Sequence, residues 1–349
     1  MVSVLAFSFV SFLLTFPNFG PTSFAIIEEH GIDPKLFFTI FYVTHIAGLL
    51  FAGMVMDRVE RRLKVAKLSA LILFLSAMLS NFLPLLSIAL IGFFLGVLAD
   101  VMGGLLGRIV RPWRRGMVIA ISVSLANVLL FLFSIQRLKP IHMTILSSLP
   151  LIPTILLPEI RVGKVDARGI NPEMLRFVPP VVIFYLLAGF MYQTMEPVFR
   201  EMLSNFHVLS YVFAILVAGA LYDRIGRRIT TILGLLLLGL SFALFPKHPV
   251  ASAYTIQASY AFLDVFSILI WVDLAYYGTE SKHYGIGTSI LVASILAGYW
   301  AMNLMRLNPF DFGLLSLILL ILSALFVASA KEPMMSPEDY VMRGVGRDS

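Results

Sequence analysis

Asp100 and Asp264 stand deep inside apolar runs, in Leu98-Ala99-Asp100-Val101 and Phe262-Leu263-Asp264-Val265. An aspartate at the centre of a membrane helix costs about 2.5–3.5 kcal/mol on insertion scales. Its survival there points to binding or proton transfer. No Lys or Arg lies in the middle of any apolar run, so neither carboxylate has an obvious intramembrane ion-pair partner. Such groups suit loading and releasing a proton or holding a cation, and the same absence speaks against a dedicated anion carrier. The competing reading is a protonated or water-bonded Asp that packs helices. Gly96, Gly103, Gly104 and Gly107 share the face of Asp100 and are expected to leave space beside it. His45, three residues after Tyr42, is a candidate for the same relay, against a plain packing role.

Polar stripes accompany these residues. Ser8, Ser11, Thr15 and Asn18 share one helical face, as do Tyr185, Gly189, Tyr192, Gln193 and Glu196, and again Gln257, Tyr260, Asp264, Ser267 and Trp271. Asn18, Tyr192, Gln193, Gln257, Tyr260 and Trp271 are therefore expected to line a cavity, with the aromatic members able to stack on an organic solute or a cation. Asn127 and Asn303 are further candidates for polar contacts. Asp273, nine residues beyond Asp264, falls about half a turn round the helix.

The elements that must position them are membrane helices. Of 349 residues, 59% are hydrophobic and 13% charged, with a mean hydropathy of +0.92. A soluble domain carries about 25% charge. Apolar runs fall at about 2–20, 37–56, 67–80, 83–107, 117–136, 141–157, 177–196, 207–222, 229–245, 250–275, 286–305 and 312–330, which predicts twelve crossings. Alternating over twelve spans puts 20 of the 26 Lys and Arg on one side together with both termini. The positive-inside rule makes that side cytoplasmic in a multi-pass cell-membrane protein. The net charge of +6 thus reads as orientation, with no nucleic-acid partner. Zero Cys excludes disulfides, thiolate metal sites and thiol nucleophiles. Motifs of zinc hydrolases, serine hydrolases, nucleotide-driven pumps and prenyl transferases are missing, so no enzyme activity, cofactor or metal is expected.

The chain also repeats itself. Gly53-Met-Val-Met-Asp57-Arg58-Val-Glu60-Arg61-Arg62 returns 166 residues later as Gly219-Ala-Leu-Tyr-Asp223-Arg224-Ile-Gly226-Arg227-Arg228. The Asp100 and Asp264 segments match at an offset of 164, and Arg115-Gly116 matches Tyr284-Gly285 at 169. Three anchors in one order imply two homologous six-helix halves. Asp100 and Asp264 should then face one another across the pseudo-twofold axis.

These turns resemble the signature loop of the major facilitator superfamily, G-x-x-x-D-R/K-x-G-R-R/K, and the resemblance spans essentially the whole chain. The second copy is complete, whereas the first has Glu60 in place of the second glycine. The resemblance implies an all-α fold of twelve transmembrane helices in two six-helix bundles. Residues 1–158 would form the first bundle, 159–176 a cytoplasmic central loop, 177–330 the second bundle and 331–349 a cytoplasmic tail. Helices 1, 4, 7 and 10 would line the cavity and helices 3, 6, 9 and 12 would face lipid.

It also implies a gate built from Gly53, Asp57, Arg58, Arg61, Arg62, Gly219, Asp223, Arg224, Gly226, Arg227 and Arg228, with Asp273 and Glu280 as acidic partners in the second half. The glycines would let helices approach closely, and the aspartates would meet neighbouring helix N-termini. Fixing topology alone is the competing role of these turns. The expected function is secondary active transport of a small neutral or cationic organic solute by alternating access, coupled to protons, by a monomer embedded in membrane lipid. A non-transporting sensor or regulatory protein on the same scaffold, or a uniporter without proton coupling, are the rivals.

Overall fold

Proline sets the first turn of helix after helix, because its fixed φ suits a helix start and its missing N–H would be unpaired there anyway. The structure is a computed structural model, and it describes residues 2–17, 20–135, 139–157, 169–203, 206–305 and 309–332. Its α-helices are α1 (Val2–Thr15), α2 (Pro21–His30), α3 (Pro34–Val55), α4 (Arg62–Leu79), α5 (Pro84–Ile109), α6 (Arg115–Ser134), α7 (Pro140–Ser148) and α8 (Ile152–Leu156). There follow α9 (Met174–Thr194), α10 (Glu196–Leu203), α11 (Val208–Arg224), α12 (Arg227–Leu244), α13 (Pro249–Asp273), α14 (Glu280–Met305) and α15 (Pro309–Ser329). Gly31, at φ 58°, ends α2 in the left-handed conformation, and the Asp33 side chain then caps α3 through the Lys35 N–H.

Each of the twelve apolar runs holds helix, and among the described residues eight helices are long and apolar enough to cross a membrane, or nine if α10 and α11 form one broken span. The chain is thus an all-helical, multi-pass membrane protein. The others fall short for readable reasons. α1 has 14 residues and α11 has 17, while α4 opens with Arg62, Lys64 and Lys67. The run 141–157 is broken at Leu149–Leu151, where a 3-10 turn carries Pro150. A proline inside a helix lacks a donor and clashes with the preceding turn. Two short helices, α2 and α10, were not expected from the apolar pattern. The span expected over 177–196 ends at Thr194, and Glu196 opens α10.

Helix packing comes in matched pairs along the chain. α3 packs on α5 as α11 packs on α13, and α4 on α5 as α12 on α13. α1 pairs with α6 as α9 pairs with α14. Two further contacts join early helices to late ones, α3 with α14 and α6 with α11. The outermost helix, α15, turns Leu314, Leu317, Ile321 and Leu325 outward, and α4 and α12 expose Leu68, Leu75, Leu236 and Leu240 in the same way. In lipid an apolar outer face is the stable arrangement.

Asn18, most of the central loop (159–168) and most of the tail (333–349) lie outside the described residues, as does the Asn303 side chain.

Candidate functional site

A cavity of about 240 Å³ lies between the early and late helices. Its walls come from α1, α3, α5 and α6 on one side and α9, α10, α11, α13 and α14 on the other, while the described residues of α4, α12 and α15 contribute nothing. The two sides differ in chemistry. The early helices present Phe9, Phe12, Leu95, Met102, Ile119 and Val123, whereas the late ones bring Tyr185, Tyr192, Tyr211, Gln257, Tyr260 and Asp264.

Asp264 is the acid of this wall. Its Oδ1 accepts from the Tyr185 hydroxyl at 2.5 Å and its Oδ2 from the Tyr211 hydroxyl at 2.7 Å, so α9 and α11 both orient a carboxylate carried by α13. Two O–H donors satisfy one lone pair on each oxygen and leave the charge without a counter-ion. Among the described residues no Lys or Arg lines the cavity. Tyr211 lies outside every sequence stripe, and only the packing of α11 on α13 reveals it.

A second acid, Glu196, is buried in the same wall, its Oε1 at 3.6 Å from His207 Nε2. On the early side three polar residues bond to nearby backbone. Asn127 donates to the Val123 carbonyl, Ser134 to that of Phe131, and His45 Nδ1 lies 3.1 Å from the Gly92 carbonyl.

Several expected members sit elsewhere. Asp100 is absent from the cavity wall, which passes through Ala99 and Gly103 instead. It is completely buried where α5 meets α14, beside Ser281 and Gly285. The glycines around it leave no space. A Cβ on Gly103 would strike the Tyr284 ring and one on Gly104 the Ser281 side chain, because α14 fills that face.

Trp271 is buried against Gly287 rather than facing the cavity. Gln193 is also off the wall and meets the Tyr299 hydroxyl. Of the described members of the first stripe Ser8 reaches the cavity, while Ser11 and Thr15 turn toward α4 and the Leu149–Leu151 turn. A helical Thr can bond its own preceding turn, as Thr15 does to the Ser11 carbonyl at 2.8 Å, so it needs no polar cavity.

Beyond the cavity the two signature turns meet at one arginine-rich end. Asp57 accepts from the N–H groups of Ser281 (3.1 Å) and Lys282 (2.9 Å) in the first turn of α14. Asp223 does the same with Gly116 and Met117 in the first turn of α6, both at 2.9 Å. Anionic side chains are favoured there because the first N–H groups lack helical partners and the dipole is positive. Close glycine pairs sit beside both contacts. A Cβ on Gly53 would lie 3.2 Å from the Gly285 Cα, and one on Gly219 would lie 2.6 Å from the Gly116 carbonyl.

Ion pairs span the same boundary. Asp273 binds Arg115 Nη1 at 2.7 Å and Arg227 Nε at 2.9 Å, and Tyr222 donates to it at 2.8 Å. Glu280 binds Arg108 at 3.0 Å, so arginines at the end of α5 and the start of α6 supply cross-boundary partners that the sequence alone did not assign.

Of the signature arginines only Arg62 and Arg227 are buried, whereas Arg58, Arg61, Arg224 and Arg228 are exposed. The buried arginine stands five residues after Asp57 but four after Asp223. Gly226 explains the offset. It holds φ 102° and ψ 168°, a region open essentially to glycine alone, and Glu60 forces the first turn onto another path through a 3-10 turn at Met56–Arg58. With no acid at the end of α5, Arg62 pairs with Asp57 at 3.2 Å instead.

No protein-family model matches the chain, and no curated protein matches it in sequence. Solved structures do match its shape. The human organic anion transporter MFSD10 (TETRAN) superposes with a TM-score of 0.73 at 13% identity, over 93% of this chain and 97% of that one. The proton:xylose symporter XylE, bound to 6-bromo-6-deoxy-D-glucose, gives 0.73 at 12% identity, over 95% and 96%. The chain has the fold of the major facilitator superfamily.

Proposed function

We propose that this protein is a secondary active transporter of the major facilitator superfamily, moving a small neutral or cationic organic solute by alternating access with proton coupling. The observation that carries the reading is a cavity between early and late helices, closed at one end by polar contacts that join the two groups and that could break as they rock apart. A mere scaffold needs neither a carboxylate in such a cavity nor paired latches. The repeated packing scheme supports twelve crossings in two bundles, residues 1–158 and 177–330, joined by the loop 159–176. The charge bias supports a cytoplasmic arginine-rich end with both termini on that side, in a cell membrane. A wall without Lys or Arg among the described residues favours a neutral or cationic solute over an anion. Asp264 is the site of solute or proton binding, and Asp100, buried beside the latch, is a second proton site. The unit is a monomer in lipid, partnered by solute and protons.

The test is a screen for ligand-dependent thermal stabilisation of purified protein with organic cations, sugars, amino acids and organic anions, followed by flux of the ligand found in sealed vesicles. Transport predicts uptake that falls when the pH gradient is collapsed and is lost in Asp264→Asn. Binding without flux would identify a sensor, and flux indifferent to the gradient a uniporter.

A further inference from the structure

We propose that the solute is a small amphipathic monoammonium ion, held with its charged head at Asp264 and its apolar body against α1, α5 and α6. This inference rests on the transporter reading and names the substrate class of the same cavity.

Charge comes first. Asp264 accepts from two neutral hydroxyls, which orient it without balancing it, and no Lys or Arg lines the wall among the described residues. Glu196 already has His207 beside it. The Asp264 carboxylate, in a desolvated space, therefore awaits one positive charge, which a proton or a cationic head can supply in exchange.

The tyrosines specify the kind of cation. Tyr185, Tyr192, Tyr211 and Tyr260 all reach the cavity, and the rings of Tyr185 and Tyr260 lie 6.5 Å apart. Aromatic faces around a carboxylate favour ammonium groups, alkylated ones included, over a compact hydrated ion.

The opposite wall specifies the rest of the molecule. Phe9, Phe12, Leu95, Met102, Ile119 and Val123 offer it no hydrogen bonds, and Asn127 and Ser134 each donate one to their own helix. A sugar bound there would leave hydroxyls unpaired, which is costly out of water. Size completes the description. Pockets for drug-sized ligands run to about 300–1,000 Å³, and about 240 Å³ suits a one-ring amine.

Three probes with one body and three heads decide the matter: (2-phenylethyl)trimethylammonium, 2-phenylethanol and 3-phenylpropanoate. Titrated into purified wild-type protein, the cation should bind at least about tenfold tighter than either of the others. Asp264→Asn should remove that preference, and Asp264→Glu, which keeps the charge, should retain part of it. Equal or tighter binding of the alcohol or the anion, or no binding of the cation, overturns the proposal. The wild-type series decides alone if the variants do not fold. Binding of the cation without flux in sealed vesicles would overturn the transporter reading and leave the ligand class standing. Flux of a neutral or anionic solute without cation binding would do the reverse.

Discussion

Asp273 holds two arginines and a tyrosine in a space closed to water, and that imbalance makes it the most sensitive residue of the arginine-rich end. Removing one member of a buried ion pair costs about 3–5 kcal/mol, because a desolvated charge stays behind. Asp273→Asn leaves both Arg115 and Arg227 in that position. It should lower the unfolding temperature in detergent more than Asp57→Asn, where one arginine, Arg62, loses its carboxylate and one N–H of α14 loses its acceptor. Gly226 gives a second prediction at this scale. Its backbone conformation costs a residue with a Cβ about 1–3 kcal/mol, and the added atom would lie 2.9 Å from Glu332 Oε2. Gly226→Ala should therefore destabilise the protein measurably, read as a lower unfolding temperature in detergent. Sequence singled out Asp264 because charge in an apolar run is conspicuous, and Asp57 and Asp223 because their turn is repeated. It could not separate Asp264 from Asp100, since which face of a helix meets a cavity depends on the partner helix, here α14. It missed Tyr211 because a tyrosine in an aromatic-rich membrane chain stands out only once its hydroxyl has a partner.

Helix against helix, the two boundary contacts are alike in plan, but Gly53 has more room than Gly219. α3 meets α14 at Gly53 and Gly285, and α11 meets α6 at Gly219 and Gly116. A methyl group on Gly53 would sit 3.2 Å from its neighbours, a distance small shifts can absorb. One on Gly219 would lie 2.6 Å from the Gly116 carbonyl oxygen, a backbone atom with nowhere to go. Overpacking costs about 1–3 kcal/mol. Gly219→Ala should lower the unfolding temperature clearly more than Gly53→Ala, and equal losses would mean that the two contacts pack alike. Element starts were readable from proline and element lengths from apolar runs. Pro150 was readable too, yet a run counted by hydropathy alone passes over it, and so the sixth apolar run is broken in the structure. Helices α2 and α10 escaped because each is short, and α10 mixes Glu196 and Glu201 with apolar residues.

For the molecule as a whole, the two aspartate latches act on one equilibrium. Asp57 ties α3 to α14 and Asp223 ties α11 to α6, so both contacts must part before the arginine-rich end can open. Each carboxylate accepts from two N–H groups. An asparagine could accept from only one and would press its own NH₂ against the other. The loss for each latch is about 1–2 kcal/mol, from helix-terminus interactions of this kind. If the two groups of helices move as rigid bodies, the losses add even though the sites share no side chain. Asp57→Asn with Asp223→Asn should then shift the closed-to-open ratio by about 30- to 900-fold, each single variant giving about the square root of that. The chain has no cysteine of its own, so spin labels can be placed at will on exposed positions such as Lys64 and Arg228, on opposite sides of the boundary. A longer-distance population should grow in each single variant and dominate in the double. Two independent partial openings in its place, one for each latch, would mean that the helices do not move as two bodies, and alternating access by rocking would be lost with that result.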